Sequence, residues 1–331
     1  MRILSGLDLF RTDPAKPLVL ALGNFDGIHL GHQRVLNKVL QDARSAKGIA
    51  AVFTFREHPQ QVLNPSVQPQ LLSSVPQKIF ILNRLGIDCC FLVSFTQDFS
   101  KLEPEEFVRK ILVERLNVRK VYLGFNARFG RDRNGDSALM KKMSEKFNFE
   151  FEQVEPVKLG GDLVSSSRIR NLVQTGKFKE ASECLGRPFA IFRKVIRGDG
   201  RGKTLGYPTA NLEMSGQLLP PEGVYPVNVR IMEEKTRQGA SEGIEEIHFE
   251  EKSGWLAGVL NFGTRPTFNK EEKTLEVHIL EFDRPLYGLF LEIIFHPRLR
   301  SERTFDGVEA LKDQIRKDIA QTRSYFAGSP V

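Results

Sequence analysis

Apolar residues in the first half of the chain follow two patterns that take turns. Short apolar-rich stretches at 18–22, 49–55, 88–93 and 118–124 have the length and turn-rich exits of strands. Between them the spacing is helical. Val35, Leu36, Val39, Leu40 and Ala43 form one apolar face after Leu30. Pro76 opens a helix to Leu85, and Pro104 opens another to Asn117, where Glu105 and Glu106 suit the positive end of the dipole. Strands alternating with helices predict an α/β doubly wound parallel sheet. The pattern changes at Gly186-Arg187-Pro188. Short strands at 189–196, 223–231, 255–262, 275–282 and 289–295, set apart by Gly/Pro turns without helices, predict a mainly antiparallel β-barrel. A C-terminal helix follows over 306–325, with Val308, Leu311, Ile315 and Ile319 on one face. The chain therefore divides into domains 1–186 and 187–331. The polar, acidic stretch 233–252 reads as an extended, mobile connection between barrel strands.

The densest chemistry lies at the first strand–helix junction, Gly23-Asn24-Phe25-Asp26-Gly27-Ile28-His29-Leu30-Gly31-His32. A glycine-bearing loop entering a helix aims backbone N–H groups and the positive end of a dipole at one spot, which suits a phosphate. His29 and His32 add donors to the same oxygens. Thr54-Phe55-Arg56-Glu57-His58-Pro59 sits past the next strand, where open α/β sheets bind ligands. Later come a basic loop, Gly124-Phe125-Asn126-Ala127-Arg128-Phe129-Gly130-Arg131, and a run of helix-capping hydroxyls, Ser165-Ser166-Ser167-Arg168-Ile169-Arg170. In the second domain Gly198-Asp199-Gly200-Arg201-Gly202-Lys203-Thr204 approaches a P-loop, but Arg197 stands where the first glycine belongs and no helix is expected after it. The run continues to Gly206-Tyr207-Pro208-Thr209-Ala210-Asn211-Leu212. Leu275-Glu276-Val277-His278 places a carboxylate inside an alternating strand, which pattern alone reads as solvent-facing.

The first motif resembles the signature of nucleotidylyl transferases, and within them the adenylyl-transfer half of the bacterial bifunctional riboflavin kinase/FAD synthetase family. The basic loop and the serine run are similar to further segments of that half, with Glu57 and Ala127 departing from its pattern and Ser167 standing for threonine. The segments 198–212, 261–267, 275–278, 286–288 and 298–302 resemble its riboflavin kinase half, so the likeness covers nearly the whole chain. The resemblance implies phosphorylation of riboflavin to FMN, then adenylylation of FMN to FAD with loss of pyrophosphate, both from ATP with Mg²⁺. It implies that Gly23, Asn24, Phe25, Asp26, Gly27, Asn126, Ser166, Ser167 and Arg168 bind ATP beside His29 and His32. In the kinase it implies phosphate contacts from Gly198, Gly200, Gly202, Lys203, Thr209 and Asn211, with Thr209 also a Mg²⁺ ligand. Glu276 is implied as the base, and Arg300 and Glu302 as flavin contacts. The alternatives are one active module beside a module that only binds, or a flavin-binding regulator without turnover.

Composition narrows the partners. A net charge of +7 suits anionic ligands, while no RNA-recognition or zinc-finger spacing is present, so nucleic acid is not expected. Three cysteines, two of them the adjacent Cys89 and Cys90, supply no disulfide framework and point to the cytoplasm. No apolar run is long enough to span a bilayer, and none at the N-terminus reads as a signal peptide.

Overall fold

A computed structural model describes residues 1–4, 15–66, 69–214, 216–238, 244–266 and 271–328. They form two compact units: Met1–Arg168 with Lys235–His248, and Ile169–Glu234 with Phe249–Val331.

The first unit is built on strands β1 (Arg2–Leu4), β2 (Leu18–Leu22), β3 (Ile49–Phe55), β4 (Cys89–Val93), β5 (Val118–Gly124) and β6 (Glu150–Val154). They lie parallel in the order β1-β4-β3-β2-β5-β6. All five residues of β2 are buried, as its central place requires. Helix Leu30–Ser45 returns across the sheet and buries the expected Val35, Leu36, Val39, Leu40 and Ala43. A helix begins at Pro104 as expected, but Phe107–Arg115 is wound as a wider π-helix. Two short strands, β7 (Lys158–Leu159) and β8 (Asp162–Leu163), form a hairpin before the serine run.

The second unit is a closed antiparallel barrel. Its strands β9 (Ala190–Ile196), β10 (Ala210–Leu212), β11 (Gly223–Gln238), β13 (Leu256–Pro266), β14 (Glu271–Ile279) and β15 (Phe290–Phe295) run in the order β13-β14-β10-β9-β15-β11, and β11 closes onto β13. Helix Phe178–Leu185 packs Phe178 on Phe189, Tyr225 and Phe295 of this unit, although it precedes the change of pattern at Gly186. Arg193, 1% exposed, is buried among the barrel residues, and its Nη2 donates to Gln217 O at 2.9 Å. Burial pushes this guanidinium down to about 10.

Two expectations are corrected. The described residues of 233–252 are not a loose connection: β11 runs on to Gln238 and β12 covers Ile244–Glu251, while 239–243 lie outside the described residues. Ile244, Glu245 and Glu246 pair antiparallel with Leu4, Ile3 and Arg2, and Phe249 packs edge-on against Phe192 and Phe290. Charge on both faces hid the period-2 signal of Ile247 and Phe249. The C-terminal helix, Val308–Ala327, turns a polar stripe inward: Gln314, Asp318 and Thr322 are buried while Val308 is 55% exposed. Asp318 accepts a paired hydrogen bond from Arg300, at 3.0 Å from Nε and 2.8 Å from Nη2, and also accepts from Gln314 Nε2 at 2.7 Å.

Candidate active sites

The first candidate site stands at the C-terminal ends of the parallel strands. From β2 the chain turns through Phe25, Gly27 and Ile28 at φ 49°, 80° and 40°. Positive φ is rare for phenylalanine and isoleucine, so this loop must be held from outside. The Phe25 and Ile28 side chains are buried beneath it. The Asp26 carboxylate accepts from Leu72 N at 2.9 Å and Ser73 N at 3.2 Å, and Gly27 N donates to Ser73 Oγ at 3.0 Å. Asp26, expected at the nucleotide, thus anchors the loop through its side chain. His29 caps helix Leu30–Ser45, its Nδ1 accepting from His32 N at 3.4 Å. The two imidazoles stack with centroids 3.7 Å apart, and His29 is only 7% exposed. One helix turn therefore presents both rings as a single donor surface beside the helix N-terminus.

Ser166 Oγ donates to Asp26 O at 3.0 Å, which brings the serine run to the histidine motif as the sequence suggested. Ser167 is exposed next to it. Arg168 turns elsewhere: its Nη1 donates to Leu159 O and Asp162 O of the β7–β8 hairpin at 3.1 and 3.2 Å. Asn126 is exposed just past β5, on the same sheet edge as the motif. Its neighbours Arg128 and Arg131 pair with Asp136 and Glu103 at 2.9 and 3.1 Å. The Leu139 N–H and then the Arg128 guanidinium hold the Asp136 carboxyl below its usual range. Glu57 accepts from Phe95 N at 3.0 Å, tying the end of β3 to the end of β4, and His58 caps the short helix Pro59–Leu63.

The second candidate site lies across three barrel strands. Register sets Asn211 of β10 and Asn261 of β13 on either side of Glu276 of β14. Thr209 Oγ1 donates to Glu276 Oε2 at 3.2 Å. The loop before β10 folds onto this row. A Cβ placed on Gly198 would stand 2.1 Å from Asn211 Nδ2, and one on Gly202 would stand 2.8 Å from Thr209 Oγ1. Gly200 takes φ 73°. The loop includes a single helical turn, Arg201–Thr204, far shorter than the helix a P-loop opens; the Lys203 side chain lies outside the described residues. His278 Nδ1 lies 2.8 Å from Pro208 O, holding β14 against the loop.

Arg300 and Glu302 do not act alike. Arg300 is bound to Asp318 of the C-terminal helix. Glu302 accepts from Asn261 Nδ2 at 3.2 Å and Thr264 N at 2.9 Å, so it sits one strand from Glu276 with its carboxylate against Gly263, where a Cβ would displace it. Asn261 came only as part of a longer sequence match; its place opposite Glu276 needed the register. Lys78, discussed below, was missed, although a lysine spaced with Val75, Ile79 and Leu82 on an apolar helix face was a readable signal.

Two family models match the chain, one in each half. The FAD synthetase family model matches residues 12–168, and the riboflavin kinase model matches residues 185–326. Proteins named bifunctional riboflavin kinase/FMN adenylyltransferase are similar over nearly the full length. That of Escherichia coli K12 is 31% identical, covering 98% of both chains. That of Bacillus subtilis 168 is 33% identical, covering 96% of this chain and 95% of the relative. A crystal structure described as a macrolide-efflux protein from Streptococcus pneumoniae superposes with a TM-score of 0.76 at 30% identity, covering 97% of this chain and 98% of the other. Among the described residues no helix is long and apolar enough to cross a membrane.

Proposed function

The chain belongs to the bifunctional riboflavin kinase/FMN adenylyltransferase family, and from that premise we propose how it divides two activities between its modules. It makes flavin cofactors in two ATP-dependent steps, phosphorylation of riboflavin to FMN and adenylylation of FMN to FAD. In our reading residues 187–331 carry the first step and residues 1–186 the second. The observation that carries the kinase half is the convergence of Thr209, Asn211 and Glu276 across adjoining strands.

In the kinase, Glu276 accepts the proton of the ribityl 5′-hydroxyl as its oxygen attacks the γ-phosphorus of ATP, and ADP leaves. The Thr209 hydroxyl orients the carboxylate, and the glycine loop 198–202 wraps the phosphates through its N–H groups. In the adenylyltransferase the FMN phosphate is already an anionic nucleophile. Its oxygen attacks the α-phosphorus of ATP, the α–β bridge breaks, and pyrophosphate leaves. His29, His32 and the helix N-terminus stabilise the charge that develops, with Ser166, Ser167 and Asn126 on the nucleotide.

Mg²⁺ fits the kinase row. The oxygens of Thr209 and Asn211 are hard donors, and this ion keeps much of its shell for water and substrate phosphates. When bound it would neutralise charge on the transferring phosphoryl group. Cys89, Cys90 and Cys184 are buried and outside any disulfide, which suits a reducing compartment, and we place the protein in the cytoplasm with riboflavin, FMN and ATP as its ligands rather than nucleic acid. The test is to incubate the pure protein with riboflavin, ATP and Mg²⁺ and separate the flavins. FAD is expected; FMN alone would leave one active module, and unchanged bound riboflavin would leave a binding protein.

A further inference from the structure

Helix Val75–Leu85 carries one buried group that neither reaction has used. Lys78 is 8% exposed, buried with Gln77, Ile79, Phe80 and Leu82 of the same helix. A lysine is seldom buried unless its ammonium has work there. Its Nζ donates to Asn24 O at 2.9 Å, Thr54 Oγ1 at 3.3 Å and Phe55 O at 3.4 Å. Thr54 Oγ1 donates to the same Asn24 O at 3.1 Å. One nitrogen thus joins the loop after β2, the end of β3 and a helix that follows them. Burial pushes the amine down, and the Asp26 carboxylate pulls it back up.

The loop it grips is the one that holds the strained Phe25 and Ile28. The downstream half, Asp26 and Gly27, is tied to Leu72 and Ser73. Lys78 ties the upstream half, at Asn24. Phe25 is held between these two anchors, and Ile28 and His29 follow the second directly. Lys78 also faces the cleft lined by Asn24, Arg56, His58 and Ser73 at the end of the sheet.

We propose that Lys78 is a positioning residue for adenylyl transfer: by clamping Asn24 to Thr54 and Phe55 it sets where His29 and His32 stand. The proposal rests on the adenylyltransferase reading above. Reacting groups displaced by about 1 Å can cost on the order of 100-fold in rate, so loss of the clamp is a kinetic defect before it is a binding defect.

The test uses the full-length protein with Lys78→Met, which keeps the reach without donors, and Lys78→Arg, which keeps charge and donors. FAD formation from supplied FMN gives kcat and both KM values, and riboflavin phosphorylation in the same chain reports on folding. Lys78→Met is expected to lower the adenylyl-transfer kcat by about 10–100-fold with KM for ATP within roughly threefold. Lys78→Arg is expected to recover most of that loss. The imidazole NMR resonances of His29 and His32 should move in the Met variant and return in the Arg variant. A Met variant within threefold of the parent, a loss of rate with unmoved histidine resonances, or an equal loss of both activities with a lowered unfolding midpoint would each overturn the proposal. Failure of the adenylyltransferase reading would appear in the parent's own FAD yield, whereas failure of Lys78 appears only in the ratio of variant to parent.

Discussion

Replacing Glu276 by glutamine asks whether one oxygen in the barrel does the proton chemistry. The change is almost isosteric. Thr209 Oγ1, 3.2 Å from the carboxylate, can still donate to the amide oxygen, and the register of Glu276 between Asn211 and Asn261 is a backbone property. What disappears is basicity, because an amide does not accept the hydroxyl proton at neutral pH. Loss of a general base costs about 10²–10⁴-fold, which is roughly 2.7–5.4 kcal/mol of barrier at 1.36 kcal/mol per decade. The half-buried hydrogen bond to Thr209 weakens from charged to neutral, a stability change of only about 1 kcal/mol. Rate and stability are therefore expected to separate by several kcal/mol. The assay compares kinase kcat in Glu276→Gln and parent at saturating riboflavin and Mg-ATP. FAD formation from supplied FMN serves as the internal control, because that chemistry lies in the other unit. A kinase kcat within threefold of the parent would refute the reasoning, since neither the geometry nor the size of the side chain has changed enough to mask a lost base.

His29→Ala should lower FMN adenylylation by about two to three orders of magnitude and spare riboflavin phosphorylation; a mutant that makes FAD from FMN at the parental rate removes the imidazole from the mechanism. A fragment beginning at Ile169 should fold and phosphorylate riboflavin, while one beginning at Arg187 should unfold at lower denaturant, because Phe178 no longer covers Phe189 and Phe295; equal midpoints would show that this contact contributes nothing. His296 has its Nε2 2.5 Å from Asn228 Oδ1 and its Nδ1 3.0 Å from Tyr325 OH, and burial holds its pKa below the ordinary 6.5. The unfolded chain therefore takes up the proton first, and stability should be full above about pH 6.5 and decline as the pH falls below it. His296→Gln should flatten that decline in urea melts, and an unchanged slope would assign it to other groups.

Much of this protein was written in local order. The run 18–22 and the 3.6-residue spacing from Val35 to Ala43 make a strand and a helix wherever they occur, and the loop between them must enter that helix at His29. Parallel order followed from strands alternating with helices, and the barrel from closely spaced strands without them. The glycines at 198 and 202 were legible as a phosphate loop, though not as the close contacts of Asn211 and Thr209 that they turned out to be.

What the sequence could not give was anything that depends on register or on a partner far along the chain. Whether Glu276 faces solvent or Thr209 is decided by how β14 pairs with β10 and β13, and alternation alone allows either face. Asp26 and Arg168 both lie in segments that read as a nucleotide site, yet one carboxylate accepts from backbone 46 residues away and one guanidinium donates to a hairpin. The stretch 233–252 hid its strand, Ile244–Glu251, because charged residues on both faces remove the apolar alternation that would announce it. The C-terminal helix hid its buried face for the converse reason. Asp318 and Gln314 go inward because Arg300 and Arg303 wait there, and a polar residue reads as surface until the structure supplies its partner. Periodicity determines elements; only tertiary packing decides which polar group is spent on the fold and which is left for chemistry.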